Sequence, residues 1–85
     1  MKVYFRNSFK KQYRKLPAKV QKRFSDRLDI YITHGSHDIL RVHTLKGNKY
    51  PLQSMNITGD YRALFIATKT KITFYEIGIH SELYE

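Results

Sequence analysis

The sequence predicts an α+β fold: an N-terminal strand, a helical hairpin, then antiparallel strands forming one sheet with the helices packed on one face. Three observations point there. Apolar residues recur at helical spacing in two stretches either side of Pro17. The second half carries short β-branched and aromatic runs separated by turn residues. The chain has 85 residues, 41% of them hydrophobic, which is enough for one core and not for two, so residues 1–85 read as a single domain.

Each element has its own signal. Lys2 to Arg6 holds Val3-Tyr4-Phe5, a short strand. Asn7 and Ser8 are N-cap residue types ahead of a helical run. Phe9, Tyr13 and Leu16 then form one helical stripe, with Lys10, Lys11, Arg14 and Lys15 largely on the other side. Pro17 ends that helix and opens the next, because its missing N–H is unneeded in a first turn. Val20, Phe24, Leu28 and Tyr31 make the second stripe, and Gly35 is a C-terminal stop. Two such helices cannot bury their stripes alone, so they need a sheet. Residues 34–48 read as loop. Tyr50 to Ile57 reads as a strand, with Pro51 tolerated near its start. Thr58-Gly59-Asp60 is a turn signal. Tyr61 to Ala67 is apolar enough to be a central strand. Ile72 to Ile77 is a further strand, broken by Gly78, and residues 81–85 form a terminal turn or helical stub. The short connections imply antiparallel hairpins.

Composition narrows the chemistry. There is no cysteine, which removes disulfides, thiolate–zinc sites and a cysteine nucleophile. The longest apolar run, residues 63–67, is too short to span a bilayer, so no membrane role is expected. The first eleven residues lack a continuous apolar segment of the secretory type, and the cytoplasm is the default location. The net charge is +9. Residues 1–28 hold ten basic residues and one acid, whereas the remainder balances six against six. The excess therefore lies on the hairpin, and it favours a polyanionic partner over a merely solvated helix face.

Few side chains are left to do chemistry. Lys46-Gly47 lacks the rest of a phosphate-binding loop, and no HExxH or carboxylate-rich cluster suggests a metal, so neither metal nor cofactor is expected. His34 and His37 stand near a helix end, where a capping role outweighs a zinc pair. His43, Asp60, Arg62 and His80 lie at strand ends or in loops. Two imidazoles, a carboxylate and a guanidinium suit metal-free RNA cleavage, in which a base accepts the 2′-OH proton, an acid protonates the departing 5′ oxygen and a cation stabilises the phosphorane. The ordinary alternatives are a surface histidine, a turn aspartate, and an Arg62 paired with Asp60 or Glu76.

Longer strings carry a resemblance. Phe9-Lys10-Lys11-Gln12-Tyr13 and Leu16-Pro17 in the hairpin are followed by His43-Thr44-Leu45-Lys46-Gly47, Gly59-Asp60-Tyr61-Arg62, and Ile77-Gly78-Ile79-His80-Ser81-Glu82-Leu83-Tyr84. In this order, over essentially the whole chain, they resemble the RelE/ParE superfamily of toxins from type II toxin–antitoxin systems, in its YafQ-like branch of mRNA interferases. The resemblance implies a RelE-like fold and ribosome-dependent, metal-independent cleavage of mRNA that stops translation. It implies as partners a neutralising antitoxin, the ribosome and its mRNA, and promoter DNA for the toxin–antitoxin complex. It matches His43, Asp60 and His80 to catalytic positions and Tyr84 to the aromatic near the C-terminus. Asn56 stands where the branch carries a second histidine, and an amide can bond a phosphate or sugar but cannot carry the proton.

The roles expected on this basis are His80 as general acid, Asp60 or His43 as the base or its orienter, and Lys46, Asn56 and Arg62 on the sugar–phosphate. Tyr84 either stacks on a base or packs the C-terminal stub onto the sheet. Two other functions compete: a ParE-like, non-nucleolytic inhibitor of DNA gyrase, and a plain basic nucleic-acid-binding module. The histidine–aspartate set favours the nuclease.

Overall fold

The N-terminal strand closes the sheet from its far side. In the computed structural model, which describes residues 1–84, strand β1 (Lys2–Phe5) pairs in parallel with the last strand, β5 (Lys71–Ile79). The remaining strands, β2 (His43–Thr44), β3 (Gln53–Asn56) and β4 (Tyr61–Ala67), follow antiparallel, so the sheet order is β1-β5-β4-β3-β2. Helices α1 (Asn7–Arg14) and α2 (Ala18–His34) form the predicted hairpin across Pro17. A four-residue helix, α3 (His80–Leu83), follows β5 directly.

Most elements lie where periodicity places them, and the differences have physical reasons. The parallel β1–β5 pairing follows from the hairpin, which carries the chain back between the two strands and so permits a crossover rather than a turn. The strand expected over residues 50–57 spans Gln53–Asn56, because the N–H groups of Tyr50 and Leu52 bond back to the Gly47 and Lys49 carbonyls and keep Pro51 in the turn before it. A two-residue strand, β2, appears in the region read as loop, and it takes His43 onto the sheet itself. The strand read as ending at Gly78 runs through it to Ile79. The N-cap of α1 is Arg6, not Asn7 or Ser8. The Ser8 hydroxyl instead donates to the Tyr75 carbonyl at 2.6 Å, and the Gln12 side-chain oxygen accepts from the Ile77 N–H at 2.8 Å. Helix α1 thus satisfies the stretch of β5 that β1 is too short to pair.

The core lies between the hairpin and one sheet face. Phe74 is its hub, with ring centroids of Phe5, Phe9, Phe24 and Phe65 between 5.0 and 5.8 Å away. Met55, Ala63 and Ile77 complete that face, and Leu40 seals it from the loop after α2. Arg27 is drawn out of the basic surface to hold this corner: its guanidinium donates to the carbonyls of Ile39 at 3.1 Å and Asn56 at 3.4 Å. Leu64 and Leu83 are also buried but stand outside this cluster. They belong to the opposite face, which α3 covers only in part.

Candidate active site

Strand register builds that opposite face in rows. Residues paired across strands share a face. One row reads His43, Ser54, Leu64, Glu76 across β2, β3, β4 and β5. The next reads Asn56, Arg62, Gly78. Beyond it, the β3–β4 turn brings Asp60 beside the start of α3, where the His80 N–H donates to the Asp60 carbonyl at 3.2 Å. Gly59, Asp60, Ile79, His80 and Ser81 line an open cleft there.

Helix α3 has four residues and no stability by itself. Its anchors hold it down. Leu83 is 2% exposed and lies over Gly78, where a Cβ would come within 3.5 Å of the leucine and 3.0 Å of the Glu82 carboxylate. That carboxylate accepts the Ile79 N–H at 3.1 Å. The Tyr84 hydroxyl reaches across the face to the Ser54 Oγ at 2.9 Å. The Tyr84 ring meets the His80 imidazole edge-on, with centroids 4.4 Å apart. His80 touches the ring of Tyr84, and His43 stands one strand beyond the serine that holds its hydroxyl.

The other expected residues divide. His43 is exposed, and its Nδ1 lies 2.9 Å from the Arg41 carbonyl. A carbonyl only accepts, so Nδ1 donates in this contact, and whenever the ring is neutral Nε2 is its accepting nitrogen. The Asp60 side chain is exposed and in no ion pair among the described residues. Arg62 pairs with neither Asp60 nor Glu76: its NH1 donates to the carbonyls of Thr58, Gly59 and Tyr61 at 3.0–3.1 Å, bracing the turn that carries Asp60. Glu76 pairs instead with Lys49 at 3.1 Å, both side chains little more than a quarter exposed. Lys46 is exposed on the loop between β2 and β3. His34 ends α2 as expected, and His37 turns its Nδ1 to the Ile39 N–H at 3.2 Å.

Sequence reading missed Ser54 and Lys49. The signal for Ser54 was present: in Gln53-Ser54-Met55-Asn56-Ile57, alternation sets Ser54 and Asn56 on one face against Met55 and Ile57 on the other. Nothing local marks Lys49, whose partner is 27 residues away.

No protein-family model and no curated protein matches the chain. Solved structures do. YafQ from Escherichia coli superposes with a TM-score of 0.83 at 11% identity, covering 98% of this chain and 97% of that one. A YoeB/ParE toxin from Agrobacterium tumefaciens gives 0.77 at 16% identity, covering 94% and 99%. YafQ in the E. coli DinJ–YafQ toxin–antitoxin complex gives 0.72 at 17% identity, covering 98% and 96%. At such identities the likeness is one of architecture, and it extends over nearly the full length of each chain. The mixed five-stranded sheet, the basic helical hairpin and the short helix closing the second face together make this the fold of the YafQ and YoeB/ParE toxins.

Proposed function

We propose that the chain is the toxin of a type II toxin–antitoxin pair, and that it arrests translation as a ribosome-dependent, metal-independent endoribonuclease. What supports this reading is the link between the two histidines: His80 lies against the Tyr84 ring, and His43 is in register with Ser54, the serine that bonds the Tyr84 hydroxyl. In-line cleavage needs a base and an acid on opposite sides of the phosphorus. The 2′ oxygen attacks phosphorus as its proton passes to His43 Nε2. The bond from phosphorus to the 5′ oxygen breaks, and that oxygen takes a proton from His80. The products are a 2′,3′-cyclic phosphate and a 5′-hydroxyl. Asp60, which lines the same cleft as His80, serves as the alternative base or orients the attacking group. Arg62 and Asn56, adjacent in the second row, meet the phosphate and ribose. Lys46 adds charge from the loop, and the basic hairpin holds ribosomal RNA by its phosphates without reading sequence.

The partner implied by the likeness to the DinJ–YafQ complex is an antitoxin. The groove between α1 and α2 offers Phe5, Phe9, Tyr13 and Leu28 with Lys10 and Arg14 at its edge, which suits the apolar stripe of an acidic helix. The pair would then bind its own promoter DNA.

Primer extension on message from a reconstituted translation reaction tests the nuclease. Cuts in register with codons, lost in His80→Gln and His43→Gln, are expected. Intact message, or a His80→Gln variant that cuts as the parent does, overturns the assignment. Arrested DNA supercoiling with intact message would point to gyrase instead.

A further inference from the structure

Ser54 is the one buried polar residue among the described residues, at 0% exposure. A hydroxyl there loses its water, so an apolar side chain like its neighbour Leu64 would be the cheaper choice on this row. Its partner is the phenol of Tyr84, thirty residues on. The His80 imidazole makes no side-chain hydrogen bond among the described residues, and its close neighbour is the ring of that same tyrosine. Position thus passes from the sheet to the phenol and from the phenol to the imidazole.

We propose that Ser54 is a positioning residue for His80: by fixing the hydroxyl of Tyr84 it holds the ring as a wall against the imidazole. The inference rests on reading this face as the RNA-cleaving one. It also assigns Tyr84 a role different from stacking on a base. A phenol tied at its hydroxyl and pressed against an imidazole edge is a support and not a free platform. With the tie cut, the ring swings, and His80 samples rotamers in which it cannot reach the leaving oxygen. Displacement of a reacting group by about 1 Å lowers turnover by about ten- to a hundred-fold without weakening the rest of the substrate contacts.

The test uses the full chain with Ser54→Ala, Tyr84→Phe, the double variant, and Ser54→Thr, which restores a hydroxyl. Imidazole resonances of the four histidines are followed by NMR. The Tyr84 ring current shifts those of His80, so Ser54→Ala and Tyr84→Phe should move the His80 signals while those of His34 and His37 stay in place. The double variant should move them no further, since both changes cut one bond, and Ser54→Thr should bring them part-way back. In cleavage assays kcat should fall about ten-fold or more with KM nearly unchanged. Unmoved His80 resonances in both single variants overturn the proposal, as does a loss confined to KM. If the parent cuts no RNA, the nuclease reading fails, while the NMR arm still decides whether Ser54 positions His80.

Discussion

Replacing Leu83 by alanine should free α3 without unfolding the sheet. Leu83 is the buried residue of that helix, 2% exposed over Gly78. A leucine-to-alanine change in a packed site costs about 2–5 kcal/mol, depending on how far the neighbours close the cavity. Here the low end applies, about 2–3 kcal/mol, because α3 covers an otherwise open face and can settle. The remaining anchors are three hydrogen bonds: His80 N–H to Asp60, Ile79 N–H to Glu82, and Tyr84 to Ser54. Each contributes a net of about 0.5–1.5 kcal/mol. The loss is thus comparable to everything else that holds the helix, yet small beside the roughly 5–15 kcal/mol of a whole domain. Native-state hydrogen exchange checks this. The amides of His80 and Tyr84 should lose about 30- to 150-fold in protection, the equivalent of 2–3 kcal/mol. The β4–β5 ladder should remain far better protected than they are. If those two amides still exchange at the ladder's rate in Leu83→Ala, helix and sheet open as one unit and the reasoning fails.

Other perturbations have definite outcomes. Phe74→Ala removes the ring that four others meet, and a loss of about 3–5 kcal/mol should appear as a lower urea midpoint. A double-mutant cycle on Lys49→Met and Glu76→Gln should give a coupling of about 1 kcal/mol or less, shrinking as salt is raised, because the pair is partly exposed. Burial raises the Tyr31 phenol above its ordinary range, so the folded state keeps its proton where the unfolded chain has lost it. Stability should therefore fall as pH rises through the tyrosine range near 10, and Tyr31→Phe should remove that component in alkaline urea melts. Neutralising Lys11 and Lys15 together should lower the salt slope of ribosome binding by about one to two units while leaving the cleavage positions unchanged.

The hairpin, the central strand Tyr61–Ala67 and the charged N-terminal third were legible in the sequence, because period and composition are local properties that survive without a partner. The turn at residues 58–60 was legible for the same reason. The strings around His43, Asp60 and His80 pointed, through the resemblance, to the fold that the chain adopts. Only the tertiary structure decided their arrangement. Two residues of β2 carry too little pattern to announce a strand, yet their register with β3 puts His43 opposite Ser54. Gly78, read as a strand breaker, is instead the space in which α3 lies. Arg62 had open choices between Asp60 and Glu76 as ion-pair partners, and its NH1 took three carbonyls of its own turn. Which polar group meets which depends on contacts between residues far apart in the chain, and those exist only once the sheet has chosen its register.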